Sequence, residues 1–76
     1  MADILSRITL NSEVCNGKPT IRNMRFTVAQ ILELLASGMS KEEILNDYSF
    51  LEEEDINASL LFASKMANAK SIIPAA

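Results

Sequence analysis

Val14-Cys15-Asn16-Gly17-Lys18-Pro19-Thr20-Ile21-Arg22-Asn23-Met24-Arg25-Phe26-Thr27-Val28 packs turn formers, cationic side chains and short β-like pairs into one run. Asn16-Gly17 is a strong turn signal, because both residues tolerate positive φ. Pro19 fixes φ and lacks an N–H, so no helix is expected through it. Thr20-Ile21-Arg22 reads as a short strand, and Asn23-Met24 as a turn leading to Arg25-Phe26. Thr27 then caps a helix, with Gln30 completing a capping-box pattern.

Upstream of this run, Arg7-Ile8-Thr9-Leu10 alternates polar and apolar side chains and reads as another short strand. Residues 1–6 are expected to be loosely held. Downstream, Val28, Ile31, Leu32, Leu35 and Met39 form one helical stripe, with Leu34 beside it. Gly38 ends that helix in the left-handed conformation. Ser40 caps a second helix, with Glu43 placed to bond back, and Ile44, Leu45 and Tyr48 give it an inner face. Ser49-Phe50-Leu51 reads as a corner. A third helix is predicted from about Glu53 to Ala69, with Glu52, Glu53, Glu54 and Asp55 where its dipole favours negative charge. The tail, Ser71 to Ala76, contains Pro74 and is expected to fray.

The fold class is therefore mainly α: a three-helix bundle preceded by short β-strands. Ala36-Ser37-Gly38-Met39-Ser40 resembles the corner of a helix–turn–helix. One domain of 76 residues is expected, with a structured core of about 4–70, a β segment at 7–26 and a helical bundle at 27–69.

The third helix is apolar nearly all round. Helical spacing puts Ile56, Leu60, Ala63 and Ala67 on one face, and Ala58, Leu61, Phe62 and Ala69 largely opposite. In a chain that is 49% hydrophobic, the second set is expected to meet a partner, most simply in a homodimer. The alternative folds Phe62 against Ile72 and Ile73 of the tail.

Charge is lopsided. Residues 1–26 hold Arg7, Lys18, Arg22 and Arg25 against two acids, and residues 27–76 hold three lysines against eight acids. If promoter DNA is bound, those four front cations are the expected contacts, because carboxylates at the start of the third helix would oppose phosphate. Arg25 has a structural alternative, an ion pair with Asp47 or Glu33.

Catalysis is not expected. The chain has no His and one Cys, so Cys15 lacks an activating base and an internal disulfide partner. Gly17-Lys18-Pro19-Thr20 lacks the earlier Gly of a phosphate loop. No metal or cofactor is expected, no apolar run is long enough for a membrane span, and a reduced cytoplasmic setting suits the lone thiol.

One ordered pattern runs through the chain: Cys15-Asn16-Gly17-Lys18-Pro19-Thr20-Ile21-Arg22, Arg25-Phe26-Thr27-Val28, Ile31-Leu32, Leu35-Ala36-Ser37-Gly38, Ser40, Glu43-Ile44-Leu45, Asp47-Tyr48, Leu51 and Glu54-Asp55-Ile56. It resembles the domain of unknown function 433 family over about residues 4–67. The resemblance implies a homeodomain-like three-helix domain after short strands. It also implies an antitoxin that binds a toxin of the PIN-type ribonuclease kind, and for some members dimeric binding to promoter DNA. This chain departs from the family pattern at Asn23-Met24, where Gly-Thr is usual, at Ser49, where Pro is frequent, and at Glu52, where Ser or Thr often caps the helix.

Overall fold

The computed structural model describes residues 3–68. Ala69 and the tail expected to fray, Ser71 to Ala76, lie outside them. A 3₁₀ turn, Ile4–Arg7, leads into β1 (Ile8–Thr9). A tight turn at Cys15–Gly17 precedes β2 (Thr20–Ile21), and three helices follow: α1 (Val28–Ala36), α2 (Lys41–Asp47) and α3 (Glu53–Ala67).

The strands pair antiparallel within the chain, Ile8 opposite Ile21 and Thr9 opposite Thr20. Here the structure corrects two expectations. Of the residues 1–6 expected to be loose, Met1 and Ala2 lie outside the described residues, and the rest are held: the Asp3 carboxylate accepts the Leu5 N–H at 3.0 Å and caps the 3₁₀ turn. That turn claims Arg7, so β1 is shorter than Arg7–Leu10, and Leu10 is left exposed.

Arg22 and Asn23 both take left-handed φ, at 46° and 61°. The Met24 N–H donates to the Ile21 carbonyl at 2.8 Å. Positive φ at both central positions is what a type I′ turn requires. The chain then returns beside β2, with Ile21 N–H donating to the Phe26 carbonyl at 3.0 Å and Thr20 bridged to Thr27. Asn23 fits this position at little cost, since Asn tolerates the left-handed region. Its N–H also donates to Thr9 Oγ1 at 2.8 Å.

Both expected capping boxes are formed. Thr27 Oγ1 accepts the Gln30 N–H at 3.0 Å, and Ser40 Oγ accepts the Glu43 N–H at 3.1 Å. Each glutamine or glutamate side chain bonds back to its cap N–H at 2.8 Å. Gly38, at φ 103°, ends the α1 corner as expected. The core is Ile21, Phe26, Val28, Ile31, Ile44, Leu51 and Ile56, with Leu32, Leu35, Met39 and Phe62 among the residues packed around it. It is aliphatic apart from Phe26, and it joins the sheet to all three helices.

The caps give a direct check. Thr27→Ala and Ser40→Ala are each expected to lower stability by about 1 kcal/mol in urea titration, because each leaves orphan N–H groups at a helix start.

Candidate interaction surface

Asp55 is the third residue of α3, and its side chain is fully buried. Its carboxylate accepts four hydrogen bonds. Arg7 Nη1 donates to Oδ1 at 2.9 Å. Arg22 grips both oxygens, Nε to Oδ1 at 3.2 Å and Nη2 to Oδ2 at 2.8 Å. The Glu52 N–H donates to Oδ2 at 2.8 Å, so Asp55 performs half of the cap that a Ser or Thr at position 52 would share. The Glu52 side chain turns instead to Arg7 Nη1, at 2.6 Å.

Burial pushes the Asp55 carboxyl up, but the bonds from Arg22, the Glu52 N–H and Arg7, together with the Arg22 charge, outweigh it. The group is held below the ordinary carboxylate range. Arg22 bears a backbone cost for its part, since left-handed φ disfavours any residue with a Cβ. The same turn aims its guanidinium at Asp55 and at the Phe50 carbonyl, which accepts from Nη2 at 2.9 Å.

The four front cations therefore do not act as a set. Arg7 and Arg22 are turned inward to Asp55, while Lys18 and Arg25 are exposed. Among the described residues no carboxylate lies within 4.0 Å of Arg25, so it pairs with neither Asp47 nor Glu33.

The faces of α3 also need correcting. Its inner side runs through Asp55, Ile56, Ala58, Ser59 and Phe62, and not along Ile56–Leu60–Ala63–Ala67. Reading only apolar residues missed two polar members of the inner side. Asp55 is neutralised in place, and Ser59 Oγ donates to the Asp55 carbonyl at 3.0 Å. Ala58 is consequently 0% exposed and offers nothing to a partner. Phe62 packs on the core and, with Met66, faces Ala29 and Leu32 of α1 across a groove of about 260 Å³. Of the expected interface residues, Leu61 alone is at the surface, and Ala69 lies outside the described residues.

The other surface feature is the corner between α2 and α3. Phe50 is half-exposed, and its ring meets Phe26 edge-on at 5.6 Å and Tyr48 at 6.3 Å. Phe26 and Tyr48 lie 5.0 Å apart. Asp47, Glu53 and Glu54, which flank the corner in sequence, are exposed, with Lys41 Nζ 3.9 Å from Glu53; Glu42 and Glu43 are exposed in the first turn of α2. Among the described residues, no group of Cys, Asp and Glu is arranged to hold a metal ion. No helix there is long and apolar enough to cross a membrane.

Residues 8–63 match the family described as Protein of unknown function (DUF433). The chain belongs to that family. No curated protein and no solved structure gives a significant match. The DUF433 match runs from β1 to the middle of α3 and includes Arg22 and Asp55, while Arg7 falls just before it.

In this DUF433 protein, Asp55→Ala is expected to lower stability by about 2–4 kcal/mol, because it leaves two guanidinium groups without their shared acceptor. The pH dependence has a definite sign. Since the carboxyl titrates below its ordinary value when folded, its contribution is complete above about pH 4 and is lost as pH falls through the folded value. Urea titrations from pH 7 to pH 2 should show this acid loss in the wild type and a flatter profile in Asp55→Asn.

Proposed function

We propose that this DUF433 protein is an antitoxin-like component that works as a homodimer in the cytoplasm and neutralises a PIN-type ribonuclease toxin. The observation that carries this reading is the disposition of charge. Two of the four front cations are committed to Asp55, while the α2–α3 side presents exposed acids. A ribonuclease holds RNA on a basic surface, and an acidic, partly apolar face complements such a surface. The toxin class comes from the family resemblance. The dimer contact is assigned to Leu61, since Ala58 and Phe62 are used within the chain.

Promoter DNA is the second reading. It is favoured by the exposure of Lys18 and Arg25, neither of which has a carboxylate within 4.0 Å among the described residues.

Co-expression with a cognate PIN-type ribonuclease toxin is expected to abolish its RNA cleavage and to yield a complex on sizing. Full cleavage in the presence of excess folded protein would sink the antitoxin reading. For DNA, two phosphate contacts per chain predict a slope of log K against log salt of roughly −2 per monomer, from −0.9 per contact. A slope twice as steep would mean that Arg7 and Arg22 leave Asp55 on binding. Leu61→Glu should give monomers by light scattering; unchanged assembly would remove α3 from the dimer contact.

A further inference from the structure

We propose that the cleft between α1 and the end of α2 is a binding site for an arginine side chain presented by another protein. Its walls are Gln30, Glu33, Leu34 and Ser37 along α1, with Phe26 and Tyr48 completing it. This goes beyond the antitoxin reading, since it names the chemistry that one cleft accepts and not the partner that carries it.

One face of α1 builds the cleft. Positions 30, 33, 34 and 37 recur at helical spacing, and Tyr48 closes the cleft from the C-terminal end of α2. Its volume is about 240 Å³. Clefts that take whole small ligands start at roughly 300 Å³, so this one suits a single side chain.

Most of the lining is already committed. Phe26 is buried and meets Tyr48 in a tilted pair, with ring centres 5.0 Å apart. The Gln30 amide oxygen accepts the Thr27 N–H at 2.8 Å, and the Ser37 hydroxyl donates to the Leu34 carbonyl at 2.6 Å. The walls are held before anything enters, so a ligand has little of the site left to order.

Glu33 is the exception. It is exposed, and among the described residues no cation lies within 4.0 Å of it. No described Lys or Arg lines this cleft; Lys18 shares the neighbouring one with Glu33 but stays beyond that distance. Glu33 also stands in the last turn of α1, where the helix dipole is negative and no basic residue offsets it. Carboxylate, dipole end and aromatic ring all attract a cation.

Among cations, the guanidinium group matches these walls. It lies flat on an aromatic ring and meets a carboxylate with two N–H groups. It also gives up water more readily than an ammonium does. A metal ion would find one carboxylate too few.

The probe is N-acetylarginine N-methylamide, titrated into the full chain and followed by NMR of its backbone amides. Saturable shifts are expected at residues 30–37 and at Tyr48. The citrulline analogue, which keeps the shape without the charge, should produce none. Glu33→Gln, a mild change at an exposed helical position, should melt near the wild type and bind about tenfold more weakly. Tyr48→Leu should also weaken binding; if it melts early, Glu33→Gln decides alone.

No saturation, equal shifts from citrulline, or shifts gathered at Glu53 and Glu54 would each overturn the site. Undiminished affinity in Glu33→Gln would do the same. A lysine analogue that binds as tightly as arginine would overturn the guanidinium assignment. Each of these results leaves the antitoxin reading standing, because that reading is decided by RNA cleavage.

Discussion

A single buried carboxylate holds the front of this chain to its last helix. Asp55 takes two hydrogen bonds from Arg22, one from Arg7 and one from the backbone at Glu52. An isolated carboxylate in that position would be prohibitively costly, and its pairing turns the cost into a specific geometry. Through it the 3₁₀ turn, the left-handed corner after β2 and the start of α3 share one fixed point. Arg22 extends the network to the Phe50 carbonyl, so the α2–α3 corner is held as well. The aliphatic core fills the space behind, but apolar packing alone would tolerate many relative positions of sheet and helix.

The same network divides the charge of the molecule. The acids at the start of α3 do two different jobs. Asp55 faces inward and neutralises arginines, while Glu53 and Glu54 stay outside. The front segment therefore presents less positive charge than its composition suggests, and the same pairs withdraw Asp55 and Glu52 from the acidic side.

Much of the fold was legible from local signals. Thr27 with Gln30, Ser40 with Glu43, and Gly38 marked helix ends, because capping and left-handed turns are decided within a few residues. Asn23 was read as a turn residue for the same reason. What escaped the sequence was non-local. Nothing within reach of Asp55 in the chain distinguishes it from Glu52, Glu53 and Glu54, since its partners lie 33 and 48 positions away. Its spacing with Ser59 and Phe62 was the available sign, but polar residues do not register in an apolar stripe. Missing it misplaced the inner face of α3, put Ala58 at a surface and left Arg7 and Arg22 as free cations. The aromatic corner was equally hidden, because Phe26 and Phe50 meet only once the helices are in place.

The span between Arg7 and Asp55 also bears on how the chain is made. Synthesis delivers the arginines first and their acceptor 48 positions after Arg7. Until α3 is made, both guanidinium groups lack the carboxylate that later holds them. Arrival of Asp55 then pairs both arginines at one point, so the front segment can take its final position only once α3 is present.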